Sequence, residues 1–526
     1  MNPPNLKANK ECHAWTLRIT LVILALVQSS LSKITPVMLI TFIKYGVTTP
    51  FVNFNTTKYG DRSNFKKVTT DMTPMVITET GKRQVYNMGK YFYDAYKDDK
   101  IMENIKHSNI YILSSQVTRT VTAASAFMLG MFNSTDKLTT TNDDLRLQPK
   151  FKRRNSGKPV EVDFDTALPE GWSTYSILTT NENYDRLMNL NSKDVCPNKN
   201  LLTITNRKKE LESMVGMSRL ESAIREVAGV YGIDISKTNF KDSENCFYYF
   251  NLIHSDYFII PDPIFSPTND KKDTYNFLKD CYEAYIMTLY GTDADLTLAA
   301  SPFVMNIATS IEYYISNFTR IYTSRGYEMA KKKFLIYSGH EKLFVPLLYV
   351  LGMANRSCFL NKIDGKEIGN NCATFPHYAS SILFEILLDD KDRPDQSAFH
   401  EFYIRVRYND EYMDIDGMTG DVLNEEKYMN AQEVLSYLKR NTNHNWSEDC
   451  GINQPSEAKI ETEKWILIMT VSNVGLLFAL LLAFCFILRK KSSNLPQDVE
   501  EDMDVGRVSI GTEERLNDSV PVIEDD

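Results

Sequence analysis

The stretch Ile34-Thr35-Pro36-Val37-Met38-Leu39-Ile40-Thr41-Phe42-Ile43, followed by Lys44-Tyr45-Gly46-Val47-Thr48-Thr49-Pro50, decides the fold. A short, nearly continuous apolar run predicts a strand buried on both faces, because a half-exposed strand would alternate polar and apolar residues. Gly46 and Pro50 then mark a loop. Working outward, Thr78-Glu79-Thr80-Gly81 opens a helical stretch in which Val85, Met88, Tyr91 and Phe92 recur at helical spacing. Residues 109–113 read as a second strand and 117–132 as a helix. Residues 333–338 form a third buried strand, ending at Gly339-His340-Glu341, with a helix over 343–351. Later strands are expected at 381–388 and 402–408, and a last helix at 430–440. The intervening region, about 150–330, is more polar and reads as a mostly helical cap insertion, clearest over 208–230 and 274–289. Strands alternating with helices predict an α/β three-layer sandwich, with a largely parallel central sheet flanked by helices. Ligands of such sheets sit beyond the carboxyl ends of the strands. Three strands here end in polar segments: 44–50, 114–119 and 338–341.

Residues 465–488 run without one charged residue, and Arg489-Lys490-Lys491 follows. At ~1.5 Å per helical residue the run spans a hydrocarbon core of about 30 Å. The basic cluster marks its cytosolic end. Near the start, the apolar run 19–27 follows Lys7, Lys10 and Arg18, with small residues at Ser30 and Ser32. This is the shape of a cleaved signal peptide, 1–32. An uncleaved signal anchor, giving a two-pass protein, is the alternative. The expected organisation is a lumenal or extracellular domain at 33–455, a linker at 456–464, the transmembrane helix at 465–488 and a tail at 489–526. The expected setting is the plasma membrane, endosome or lysosome, in a single-pass type I topology. The tail is acidic, with few apolar residues, and is expected to be disordered.

Of eight cysteines, six lie in the lumenal stretch: Cys196, Cys246, Cys281, Cys358, Cys372 and Cys450. An even number there predicts three disulfides, for which the spacing alone leaves fifteen pairings open. No CxxC pair occurs, so no zinc cage is expected. Sequons at Asn55, Asn133, Asn317, Asn355 and Asn445 fall in the same stretch, as glycosylation of a lumenal domain requires. The formal charge of −9 is concentrated in the tail. The near-neutral remainder gives no case for nucleic-acid binding.

The ordered motifs resemble the histidine acid phosphatases, the branch of the histidine phosphatase superfamily that includes the prostatic and lysosomal enzymes. The family's first strand ends in Arg-His-Gly-x-Arg-x-Pro, and Lys44-Tyr45-Gly46-Val47-Thr48-Thr49-Pro50 is similar. Val76-Ile77-Thr78-Glu79-Thr80-Gly81 resembles the family's Leu-Thr-x-x-Gly helix start. Ser114-Ser115-Gln116-Val117-Thr118-Arg119-Thr120 resembles its Ser-x-x-x-x-Arg-Thr turn. Ser338-Gly339-His340-Glu341 stands at the terminal His-Asp or His-Ala-Glu motif, and Pro376-His377-Tyr378-Ala379-Ser380 resembles a later family stretch. The similarity extends over about 34–450.

The resemblance implies a phosphomonoester ligand, no cofactor, and a homodimer. In the family a neutral imidazole attacks phosphorus, arginines clamp the non-bridging oxygens, and a carboxylic acid protonates the leaving oxygen. Here Tyr45 stands in place of the nucleophilic His, and Lys44 and Thr48 replace two arginines. Arg119 matches the later clamping arginine, His340 the second phosphate-binding His, and Glu341 the acid. A phenol with a pKa near 10 is mostly protonated at acidic or neutral pH, and a lysine cannot reproduce the guanidinium fork. The resemblance therefore predicts an inactive or impaired phosphatase-like domain that keeps a phosphate site among Lys44, Arg119 and His340. Two other functions stand beside it. One is an active phosphomonoesterase using Tyr45 or water as nucleophile. The other is a surface binding protein using the cap and glycans. The resemblance also favours the pairings Cys196–Cys450, Cys246–Cys281 and Cys358–Cys372.

Overall fold

The structure is a computed structural model; it describes residues 34–51, 73–132, 174–198, 215–323, 332–355, 372–389 and 401–452, less a few positions inside these stretches, and five isolated residues between them. The expected signal peptide, linker, transmembrane helix and tail lie outside the described residues, as do Asn55, Asn133 and Cys358. Among the described residues, no helix is long and apolar enough to cross a membrane.

Strand β1 (Ile34–Lys44) is the axis of the molecule. Its side chains alternate between two cores. Met38, Ile40 and Phe42 enter one; Leu39 and Ile43 enter the other. Burial on both faces explains why the run reads as continuously apolar. Strand β2 (Ile110–Ser115) and strand β4 (Phe334–Gly339) share the pattern. Leu335 and Tyr337 of β4 face the first core, and Phe334 and Ile336 the second. The short β3 (Leu178–Thr180) lies at the sheet's edge.

The second core is covered by α1 (Glu79–Tyr96) and α2 (Thr118–Met131), through Val85, Phe92, Ala123 and Phe127. The first is covered by α3 (Met217–Tyr231), α4 (Glu244–Ile259), α5 (Lys272–Thr288) and α6 (Asp293–Thr323). Helix α7 (Glu341–Val350) and α8 (Ala431–Arg440) complete that layer. Each fully buried Phe or Leu contributes about 1.5–3 kcal/mol of transfer free energy, so both layers hold by apolar burial. A final short helix, α9 (Trp446–Asp449), leads into Cys450.

Strands β5 (Ser381–Asp389), β6 (Phe402–Tyr408), β7 (Glu411–Met413), β8 (Asp421–Leu423) and β9 (Glu426–Asn430) complete the sheet. Its order is β3-β2-β4-β1-β5-β6-β9-β8, with β7 on β6. The expectation of a largely parallel sheet is corrected here. Pairs β2–β3, β2–β4 and β1–β4 are parallel, but β1–β5, β5–β6, β6–β7, β6–β9 and β8–β9 are antiparallel. The sheet is mixed. A strand buried on both faces has the same composition whichever way its neighbours run, so the apolar runs carried burial and not direction. The extent of the cap is corrected as well. Helix α6 lies within the 150–330 stretch, yet its Phe303 packs on Phe42 of β1 and Tyr337 of β4, at 5.1 and 5.0 Å between ring centroids. It belongs to the layer over the sheet.

Disulfides join Cys246 of α4 to Cys281 of α5, and Cys196 to Cys450. These are two of the pairings that the resemblance implies. Cys372 is also disulfide-bonded.

The loop after β1 is fastened to the start of α1. Thr78 caps that helix by accepting from Gly81 N at 3.1 Å, and its own hydroxyl donates to Val47 O at 2.9 Å. The two segments touch so closely that a Cβ on Gly46 would lie 2.1 Å from Gly81 O. Only glycine permits this approach. Gly46→Ala should therefore lower stability by about 1–3 kcal/mol through overpacking. Urea unfolding of wild type and variant measures this, and an unchanged midpoint would contradict it.

Candidate functional site

Parallel pairing fixes where the polar strand ends meet. In register, Lys44 stands opposite Gly339, and Ser114 opposite Ser338. The segments after β1, β2 and β4 therefore emerge side by side, in the place where α/β sheets bind ligands. Five of the six site residues expected from sequence come together there: Lys44, Tyr45, Arg119, His340 and Glu341.

Glu341 is the first residue of α7, where the helix dipole favours an anion. Its Oε2 accepts from the Tyr45 hydroxyl at 3.0 Å and faces Lys44 Nζ at 3.7 Å. Lys44 Nζ also donates to Pro376 O at 3.0 Å. Both partners of this ion pair are buried, with side chains 5% and 7% exposed. Burial alone would push the Glu341 carboxyl up. The charges of Lys44, His340 and Arg119, with a backbone N–H, outweigh it and hold the pKa at about 2. Burial drives the Lys44 pKa down, and Glu341 restores only part of that. The carboxylate, with several donors converging on it, is the better-held charge of the pair.

His340 lies between Arg119 and Ser115. Arg119 donates from NH2 to Nδ1 at 3.2 Å, so Nδ1 is the acceptor of a neutral imidazole. Nε2 then carries the proton and donates to Ser115 Oγ at 3.1 Å. Burial, reinforced by the Arg119 charge, lowers the His340 pKa to about 3. The imidazole is neutral throughout the physiological range, with both nitrogens occupied. Arg119 lies with its guanidinium 5.0 Å from the Tyr45 ring centroid. Its buried Nε has no hydrogen-bond partner among the described residues.

Tyr45 is 3% exposed. Burial, with Glu341 opposite, raises its pKa well above the ordinary phenol value. Its ring meets His340 edge-on at 5.8 Å. The phenol is a hydrogen-bond donor here, and its oxygen is directed at a carboxylate. Thr48 stands outside the cluster. It is fully buried, bridges Ile77 through the backbone, and directs its hydroxyl to Met75 Sδ at 3.9 Å and to Tyr378.

Of the far wall, only the 376–378 part was singled out from sequence; the helices were not. The wall comes from α4 (Phe247, Phe250, His254), α5 (Lys279, Tyr282, Glu283) and the 375–378 segment. His254 is stacked between Phe250 and Tyr378, with centroids at 4.7 and 5.1 Å. Its Nδ1 meets the Tyr275 hydroxyl at 2.7 Å, and burial lowers its pKa well below the usual value. The signal available was the composition of α4, which is rich in aromatic residues and buries most of its circumference, leaving Glu244 exposed and Phe247, Tyr248, Asn251, Tyr257 and Phe258 half-buried. The cavity enclosed by these walls leaves about 20 Å³ free. That is room for about one water, far below the roughly 300–1,000 Å³ of ligand pockets. Among the described residues, no cluster of His, Cys, Asp or Glu could hold a metal ion.

A family model, histidine phosphatase superfamily (branch 2), matches residues 23–409. The chain belongs to this family. None of the curated proteins matches it. Among solved structures it is similar to a Hafnia alvei phytase in apo form, at 11% identity, TM-score 0.47, over 79% of this chain and 98% of that one. It is similar to a Citrobacter braakii phytase at 13% identity, TM-score 0.46, over 79% and 99%. A Bifidobacterium longum multiple inositol polyphosphate phosphatase, in complex with inositol hexasulfate, aligns at 10% identity, TM-score 0.48, over 79% and 95%.

The Glu341 ion pair has a pH signature. A carboxyl lowered from 4.5 to about 2 stabilises the fold above pH 4.5 and ceases to do so as pH falls through its folded pKa. Wild type should exceed Glu341→Gln by an amount of order 3 kcal/mol at neutral pH, converging toward pH 2. Urea unfolding of both proteins over this range measures the difference; parallel acid limbs would contradict it.

Proposed function

We propose that this histidine phosphatase family member is a catalytically silent, single-pass membrane glycoprotein, its phosphatase-like pocket facing the lumen or exterior. The observation that carries the reading is the Tyr45–Glu341 hydrogen bond with Lys44 beside it. By family position Tyr45 should attack and Glu341 should protonate the leaving group. Tyr45 instead holds its proton, which it donates to Glu341. Glu341 has none to give over the pH 4–8 range of the reaction, since Lys44 and the other charges around it hold its pKa at about 2. Losing one charge-stabilising donor typically costs about 2.7–4 kcal/mol of transition-state binding, and Thr48 and Lys44 weaken the clamp further.

Phosphomonoester hydrolysis by this mechanism needs a nucleophile that is neutral and free, and an acid that is protonated. His340, the imidazole at the strand ends, has Arg119 on one nitrogen and Ser115 on the other. Purified full-length chain should show no turnover of an aryl phosphate between pH 4 and 8, within the ordinary working range of such assays. Robust turnover that Glu341→Gln abolishes would overturn the silent reading.

The membrane and glycan parts of the proposal rest on the sequence: the uncharged run 465–488 and the sequons. Among the sequons in the described residues, Asn355 and Asn445 are exposed. Asn317 is half-buried on α6, with Nδ2 donating to Tyr313 O at 2.8 Å. Glycans are therefore expected on Asn355 and Asn445 and not on Asn317. Gel mobility before and after deglycosylation of each Asn→Gln variant checks this. An unchanged shift in both Asn355→Gln and Asn445→Gln would remove it.

A further inference from the structure

Two ion pairs line the cavity, and one further cation, Arg119, stands outside the lining against the Tyr45 ring. Lys279 and Glu283 face each other across 3.8 Å on one wall. Lys44 and Glu341 form the second pair, at the strand ends. Arg119 adds a positive charge, with its Nε buried and without a hydrogen-bond partner among the described residues. The strand-end group thus carries two fixed cations, Lys44 and Arg119, against one carboxylate. That surplus suits a small anion. The space does not, since about 20 Å³ is free and a tetrahedral oxyanion is larger than the single water such a volume admits.

One side chain both takes the room and neutralises the cation. A glutamate is one methylene longer than an aspartate, and Glu341 uses that reach to cross from the first turn of α7 to the Tyr45 hydroxyl. A single oxygen, Oε2, accepts a hydrogen bond from the Tyr45 hydroxyl at 3.0 Å and faces Lys44 at 3.7 Å. These are the contacts, one hydroxyl donor and one ammonium, that a phosphate oxygen would make. We propose that the Glu341 carboxylate is an autoinhibitory internal anion, which occupies the cationic end of the pocket in place of a tetrahedral oxyanion of the phosphate class. The proposal rests on the silent-pocket reading above and adds what closes the pocket. Arg119 and Lys44 constitute a latent anion site, and Glu341 is its intramolecular competitor. An incoming anion must both displace Glu341 and leave that carboxylate without its buried partners, which is costly.

Isothermal titration calorimetry of the full-length chain with inorganic phosphate tests this. Wild type, Glu341→Gln, Glu341→Ala and the double variant Glu341→Gln/Lys44→Met are compared, with thermal melts to establish folding. Phosphate should bind at least about tenfold tighter to the two single variants than to wild type, because the buried competing pair is gone. The Lys44→Met change should remove the gain. Equal binding by wild type and the single variants overturns the proposal, as does absence of binding in both variants. Unfolding of both Glu341 variants would assign the carboxylate to the fold alone and also overturn it. Aryl phosphate turnover by wild type would sink the silent-enzyme reading independently. Equal phosphate binding in an inert wild type would sink only the role of Glu341.

Discussion

The parallel register of β1 on β4 governs the site. Setting Lys44 opposite Gly339 brings the residue after β1 against the two residues after β4, although the two strands are separated by most of the domain's length. Tyr45 meets Glu341 over a sequence separation of 296 residues, and Arg119 meets His340 over 221. Slipping that register by one residue would exchange the two cores, turning Phe42 toward α1 and Ile43 toward α6. The cost of such an exchange is the packing of both layers, so the apolar alternation of β1 fixes the geometry of the polar cluster beyond it.

Within that frame, burial decides the chemistry. An ammonium, a phenol and a carboxylate removed from water must neutralise or pair. Here they pair with each other: Lys44 and Tyr45 both converge on Glu341, while Arg119 and Ser115 take up His340. A phosphatase pocket needs the reverse condition, with its donors directed at vacant space where charge develops in the transition state. In this chain Lys44, Tyr45 and the NH2 group of Arg119 are already taken up from inside, and the Arg119 Nε is left without a partner among the described residues. The pocket has become part of the core, closed on its other side by the rings of α4 and α5.

Elsewhere the sheet carries a comparable arrangement that serves only structure. Glu385 of β5 is fully buried and is held by Arg405 of β6 and the Tyr96 hydroxyl. It lies on the antiparallel half, away from the strand ends. A buried ion pair is therefore not in itself a functional mark in this protein. What distinguishes Glu341 is its place, at the carboxyl ends of parallel strands and on the first turn of a helix.

The sequence by itself determined the strands that build the site and the residues at their ends. The runs at β1, β2 and β4 are legible because a strand buried on both faces must be apolar throughout, and the motifs after them sit at fixed offsets from those strands. Its motif resemblance also led to the expectation that Tyr45 stands where the family has its nucleophile. Direction in the sheet, the true place of α6 and the wall contributed by α4 and α5 were decided by tertiary structure, since composition records burial and not the identity of a neighbour. The same holds for Thr48, which the motif placed in the site and which packs instead on Met75 and beneath Tyr378. Most of all, the partnership of Lys44, Tyr45 and Glu341 belongs to the fold. No local pattern can say that an ammonium and a phenol will find their anion inside the chain, because that depends on which charges share one desolvated space.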